Sequence, residues 1–252
     1  MNIYQLVDSI CAGYVPSVDE VELLLNADEP ETSYIFSMAD NITERYCSNK
    51  IHIRGIIEFS SYCRCNCAYC GLNAGNHKLS RYRMQPQEII DTAAKAYEAG
   101  YKTLVLQSGE DLWYTREKIS WIIKGIKSIG DIAITLSIGE REYEDYKQWK
   151  KDGADRFLLK HETINQSLYN KLHTHSNIES RIKCLLQLKE LGYQVGDGFM
   201  IGLPGQTLRD IAEDRLLLNE LDVDMAGIGP FIPHKDTILK DAKAGSNMIT
   251  LK

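Results

Sequence analysis

From His52 onward the sequence alternates short apolar runs with amphipathic stretches, and that alternation limits the possible folds more than any other feature of the chain. The apolar runs predict strands at Ile53–Phe59, Thr103–Leu106, Ile132–Ser137, Arg156–Leu159, Gln194–Ile201 and Met225–Gly229. Between them, spacing of three and four predicts helices at Gln85–Ala99, Thr115–Ile129, Glu142–Lys151, Asn165–Lys171, Ile178–Leu191 and Leu208–Leu221. Gly100, Gly130, Gly153 and Gly192 fall just past the helices, where a left-handed residue is wanted. A strand that must cross back over a helix before pairing implies a parallel sheet. At about 30 or more residues per unit, the remaining chain holds about six βα units, where a closed barrel needs eight. The expectation is therefore an α/β fold, an open and curved partial barrel, with ligands at the C-terminal ends of its strands.

Residues 1–50 read as a helical segment preceding the barrel at 51–252. Ser17 and Glu20 form a capping-box pattern before Val21 and Leu23–Leu25, and Ile35, Met38, Ala39, Ile42 and Tyr46 recur at helical spacing. With 29 Lys+Arg against 35 Asp+Glu, the formal charge of -6 disfavours nucleic acid or an anionic membrane as a partner. The N-terminus shows neither a basic n-region nor an apolar h-region, and no apolar run approaches the length of a membrane span. A cytoplasmic protein is expected.

Of seven cysteines, Cys63, Cys65, Cys67 and Cys70 fall within eight residues, too close for an ordinary disulfide framework. They follow the first predicted strand and so lie at the functional edge of the sheet. Thiolates ligate iron-sulfur clusters, and a cubane ordinarily takes four. A Cys-x3-Cys-x2-Cys set supplies three from Cys63, Cys67 and Cys70, leaving one iron for an exchangeable ligand. The competing readings are a structural zinc loop using all four cysteines, or buried free thiols; zinc ordinarily draws a second knuckle from a separate segment, and none is seen here. Cys65, alternate in the loop, is expected to point away as a bystander. Cys11, Cys47 and Cys184 sit singly on predicted helices, as small hydrophobes do.

The run Cys63-x3-Cys67-x-Tyr69-Cys70 resembles the signature of the radical S-adenosylmethionine (SAM) superfamily, with Tyr69 as the aromatic residue before the last cysteine. That resemblance implies a radical SAM partial TIM barrel. It also implies a [4Fe-4S] cluster on Cys63, Cys67 and Cys70 whose fourth iron is chelated by the amine and carboxylate of SAM. An external electron donor would reduce the cluster, which then breaks the sulfur–C5′ bond to give methionine and a 5′-deoxyadenosyl radical, chemistry that belongs to the cofactor.

Further groups gather at predicted strand ends. Gln107, Ser108 and Gly109, followed by Glu110, resemble the superfamily's Gly-Gly-Glu segment for the methionine amine, although Ser-Gly-Glu is also a common turn. Thr135 and Ser137 share a face of one strand, available to SAM if that face is the barrel interior. Glu162 suits a ribose hydroxyl or amine, and Arg181 suits a carboxylate through its planar fork, while a plain ion pair at an element end accounts for either. His161 reads as an ordinary half-buried histidine and is left unassigned. Met200 lies in the glycine-rich run Gly196–Thr207, where Thr207 caps the next helix with Asp210. Ile228 lies in Gly227–His234, whose backbone could meet an adenine.

Five blocks in order carry a narrower resemblance: Ile57–Ser60, Leu106–Asp111, Leu158–Thr163, Met200–Thr207 and Gly227–His234 are together similar to HydE, the family of [FeFe]-hydrogenase maturases related to biotin synthase. The resemblance implies H-cluster assembly on a small iron-bearing substrate with CO and CN ligands, in concert with sister maturases. Two departures stand out. Lys252 comes before the seventh and eighth strands of a complete barrel, which puts turnover in question, and Lys160 replaces an arginine expected to grip a carboxylate. Alternatives are a biotin synthase-like enzyme, disfavoured by the lack of further strand cysteines, a methylornithine synthase-like enzyme, or a non-catalytic iron-sulfur carrier.

Overall fold

The computed structural model describes residues 1–48 and 50–252. Three helices open the chain, α1 (Ile3–Cys11), α2 (Val18–Leu25) and α3 (Glu29–Cys47). Each begins with a reciprocal capping box, Asn2 with Gln5, Ser17 with Glu20, and Asp28 with Glu31, so two otherwise unpaired N–H groups are satisfied at each start. Such a cap is worth about 1 kcal/mol. Then follow β1 (Gly55–Ser60), α4 (Pro86–Glu98), β2 (Thr103–Ser108), α5 (Arg116–Ile129), β3 (Ala133–Ser137), α6 (Tyr143–Asp152), β4 (Arg156–Leu158), α7 (Gln166–Leu172) and α8 (Ile178–Glu190). The chain continues through β5 (Gln194–Asp197), β6 (Met200–Ile201), α9 (Leu208–Glu220), β7 (Met225–Ala226), β8 (Gly229–Pro230) and α10 (Asn247–Leu251).

The main sheet has six strands in the order β1-β2-β3-β4-β5-β7, every pair parallel. Consecutive strands lie side by side because each crosses back over its helix. The sheet is the partial TIM barrel that the alternation predicts. Its outer face is apolar: Leu104, Leu106, Ile134, Leu136, Phe157 and Val195 are fully buried with Ile89, Ile122, Ile123, Tyr146, Trp149 and Leu185 from the helices. Burial of such side chains is worth about 1.5–3 kcal/mol each, which makes this layer the main source of stability.

Two predicted strands are interrupted. Gln194–Ile201 divides into β5 and β6, and Met225–Gly229 into β7 and the start of β8, with β6 and β8 pairing as a separate two-stranded sheet. At the break, a Cβ on Gly198 would lie 2.0 Å from the Gly227 carbonyl oxygen, so the two strands touch backbone to backbone and cannot continue as ordinary ladders. Of the glycines placed after helices, Gly100, Gly153 and Gly192 are left-handed, but Gly130 has φ 165°, which is extended. Glycine is needed there for space, since a Cβ would come within 2.6 Å of the Tyr97 ring.

Helix α2 packs on α9, with Val21 and Leu25 against Phe199, Ile201, Ile211 and Leu218, while α1 packs on α3 through Ile3, Val7, Ile35 and Met38. Among the described residues no helix is long and apolar enough to cross a membrane.

Candidate active site

The site is built where β1 ends. Ser60 closes β1 with its hydroxyl donating to Asp111 Oδ2 at 2.7 Å and receiving the Tyr62 N–H at 3.1 Å, and Arg83 grips the same carboxylate through two nitrogens at 2.7 and 3.1 Å. The cysteine loop that follows is tied at several points. Arg81 donates to the carbonyls of Ser61, Leu72 and Asn73 at 2.5, 3.1 and 2.7 Å, joining the loop's two ends. The Arg64 N–H meets the Glu110 carbonyl at 3.0 Å, its guanidinium pairs with the Glu110 carboxylate, and the Ala68 N–H meets the Leu172 carbonyl at the end of α7 at 2.9 Å. A Cβ on Gly109 would lie 2.3 Å from the Tyr62 carbonyl oxygen and 2.7 Å from Cys63 Cβ, so the turn after β2 presses directly on the first cysteine.

Polar groups approach two of the signature sulfurs: Cys63 Sγ receives the amides of Glu110 and Cys65 at 3.3 and 3.4 Å, and Cys67 Sγ lies 3.5 Å from His173 Nδ1. Hydrogen bonding to the neighbouring Cys65 thiol, then burial, pushes the Cys63 thiol far up, and burial raises that of Cys70. Half-buried thiols gathered on one loop suit thiolates neutralised by a multivalent cation cluster. Among the described residues no three His, Cys, Asp or Glu side chains converge as ligands of a single ion; the three thiolates of a cubane bind three different irons.

Cys65 differs from expectation. Its thiol does not turn away but interacts with those of Cys63 and Cys67; the Cys63 contact lowers its pKa, while Cys67 and burial outweigh that and push it up to about 12. The alternation rule holds for extended strands, and residues 61–67 form no strand.

Thr135 and Ser137 lie opposite Val105 and Gln107 in register, on the face away from Leu104, Leu106, Ile134 and Leu136, so both look into the barrel. Among the described residues the buried Thr135 hydroxyl meets no hydrogen-bond partner. Ser108 donates to the Gly109 carbonyl at 2.6 Å, and Glu110 is held by Arg64 and the Glu140 N–H, which leaves Gln107 as the freer polar side chain of that segment. Glu162 adopts a left-handed backbone at φ 65° and bridges to Phe199, with its carboxylate 3.3 Å from Lys160 Nζ, an ion pair outside hydrogen-bonding geometry that leaves Oε2 without a hydrogen bond. Arg181 donates through Nε to Glu140 at 2.7 Å and through Nη1 to the Lys160 carbonyl at 3.0 Å, so part of its fork is already engaged. Met200 packs with Tyr69, Ala68, Leu203 and Phe231 beside the loop. The Ile228 side chain lies elsewhere, lining an apolar groove with Phe199, Ile201 and residues of α1–α3, which leaves only its backbone for a ligand.

His161, far from half-buried, is completely buried, with Nδ1 2.8 Å from Asp197 and Nε2 3.4 Å from Asp214. Burial lowers its pKa, but the two carboxylates outweigh that and raise it to about 9. The His161–Asp197 pair, with the His161 and Gly198 amides on the same carboxylate, holds the turn that leads into Glu162. Sequence reasoning also missed His173, Arg81 and Glu140. Glu140 lay just past the third strand's end, a placement that could have flagged it; His173 sits 106 residues from Cys67 and left no local signal.

A family model described as the radical SAM superfamily matches residues 57–218, from β1 through α9. The chain belongs to the radical SAM superfamily. Within it, the chain is 54% identical over 218 residues to the [FeFe] hydrogenase maturase subunit HydE of Thermotoga maritima, covering 86% of this chain and 62% of the maturase's length. It is 29% identical to a 3-methylornithine synthase of Methanosarcina acetivorans, covering 97% and 70%. The solved methylornithine synthase PylB superposes with a TM-score of 0.88 at 25% identity, covering 96% of this chain and 72% of PylB. The maturase HydG of Carboxydothermus hydrogenoformans, at 24% identity, has the same fold with a TM-score of 0.83, covering 99% and 61%. Superfamily membership implies a [4Fe-4S] cluster and SAM, and the thiols of Cys63, Cys67 and Cys70, gathered on one clamped loop, fit the cluster.

Proposed function

We propose that this radical SAM protein cleaves SAM reductively at a [4Fe-4S] cluster held by Cys63, Cys67 and Cys70, and that it serves in [FeFe]-hydrogenase maturation. The observation that carries the reading is the grouping of the three signature thiols on one loop clamped by β2 and α7, with two backbone amides directed at Cys63 Sγ, in a chain 54% identical to a HydE. The cluster, once bound with SAM and reduced by an external donor, supplies the electron that splits the sulfur–C5′ bond.

The protein's own residues orient and shield. Gln107, Ser108 and Gly109 present polar atoms at the end of β2 for the methionine amine, and Arg181 offers positive charge for its carboxylate. Thr135, Ser137 and Glu162 line the interior for amine or ribose groups, while Tyr69, Met200 and the Ile228 backbone border the adenine side. Buried ion pairs such as Arg181–Glu140 keep these groups aimed before a ligand arrives. The substrate is a small iron-bearing molecule inside the barrel, the partners are an electron donor and sister maturases, and the setting is the cytoplasm.

Anaerobic reconstitution with iron and sulfide, followed by reductant and SAM, is expected to yield 5′-deoxyadenosine, and Ala at Cys63, Cys67 or Cys70 is expected to abolish it. A cubane indifferent to SAM would leave an iron-sulfur carrier. A second reading, a methylornithine synthase-like activity, draws support from the PylB superposition. Restoration of hydrogenase activity with partner maturases separates the two.

A further inference from the structure

His173 caps α7, its backbone N–H bound to the Tyr169 carbonyl at 2.7 Å, and its ring stacks on Tyr169 with centroids 4.3 Å apart and planes 13° off parallel. Only 6% exposed, the ring spans two residues of the cysteine loop: Nδ1 lies 3.5 Å from Cys67 Sγ and Nε2 lies 3.0 Å from the Tyr69 hydroxyl. The neighbouring Ala68–Leu172 backbone bond and the packing of Leu168 and Leu172 on Ala68 hold α7 against the loop, so this geometry is fixed by more than the histidine itself.

Given the cluster reading above, we infer that His173 is a positioning residue that tunes the cluster, donating its Nδ1–H to the Cys67 thiolate while the Tyr69 hydroxyl donates to Nε2. The tautomer follows from the partners. A metal-bound thiolate can only accept, so the ring proton belongs on Nδ1, and the Tyr69 O–H then meets the lone pair on Nε2. An N–H aimed at a ligating sulfur draws charge from it and favours the more negative, reduced cluster, raising the reduction potential. The same bond fixes the Cys67 rotamer. Nothing in the superfamily signature assigns this task to a residue over a hundred positions downstream.

The test compares His173→Leu, which removes the donor, with His173→Gln, whose amide N–H can replace it. Both are measured by EPR-monitored redox titration of the reconstituted protein, with iron content and thermal unfolding as controls. His173→Leu is expected to lower the midpoint potential by roughly a tenfold change in the one-electron equilibrium, about 59 mV. His173→Gln is expected to return most of that shift. An unchanged midpoint in a fully loaded His173→Leu protein overturns the inference, as do equal shifts in both variants or cluster loss from both. A native protein that forms no cubane defeats the functional reading first, and the two failures are told apart by the native sample alone.

Discussion

His161 Nδ1 and Asp197 Oδ2 lie 2.8 Å apart with neither side chain reaching solvent. Asp214 stands on the far side of the ring, and Asp197 Oδ1 also receives the His161 and Gly198 amides at 2.8 and 2.6 Å. Removing one member of a buried ionic set strands the others, at a cost of about 3–5 kcal/mol. His161→Leu is therefore expected to lower the urea midpoint sharply; a change within error would show that the carboxylates need no cation.

The same triad gives a pH dependence with a definite sign. The folded pKa of His161 is raised from 6.5 to about 9, so its contribution is complete below the unfolded value and fades as pH rises through the folded one. Burial raises the Asp214 pKa from 3.8, which has the same sign but acts over a window that opens at that lower pH. Native protein should lose stability between pH 7 and 10, and His161→Leu should lose less over that interval. Parallel losses would place the titration elsewhere.

Gly109→Ala puts a methyl group against the Tyr62 carbonyl and Cys63 Cβ, both too close to be relieved by a side-chain rotation. Overpacking of this kind costs about 1–3 kcal/mol, and here the strain falls on Cys63, the first of the proposed cluster ligands. Iron bound per chain after reconstitution should fall while the helix signal in circular dichroism stays. Full iron loading would mean that the loop can shift without harm.

Arg81→Met removes four charge-assisted hydrogen bonds to loop carbonyls, those of Ser61, Leu72, Asn73 and Asn76, each worth about 1.5–3 kcal/mol and not strictly additive. The expected result is faster amide exchange across residues 61–76, with β2 and β3 unaffected. Unchanged exchange in the loop would assign its order to the Asp111 and Leu172 contacts instead.

Cys65→Ala should keep the cluster and SAM cleavage, because Cys65 adds a fourth thiol to a set that needs three. Its contacts with Cys63 and Cys67 make this a sharper question than the spacing alone posed. Iron content dropping to that of Cys63→Ala would make Cys65 a ligand.

The element order was legible in the sequence because a buried sheet face and an amphipathic helix each impose their own period, and those periods run unbroken through Leu104, Leu106, Ile134 and Leu136 on one side and Ile119, Ile122, Ile123 and Ile126 on the other. The grouping of Cys63, Cys67 and Cys70 was legible for a similar reason: all three lie on one loop, so their spacing is local. What the tertiary structure alone decided is which distant residues meet that loop. His173 reaches it from the end of α7, the Arg181–Glu140 pair joins α8 to the end of β3 nearby, and Cys65 turns toward its neighbours because the loop is not a strand. Periodicity encodes which face of an element is buried. It does not encode which side chain from another element will sit opposite, since that is set by how parallel strands stack their ends along one rim.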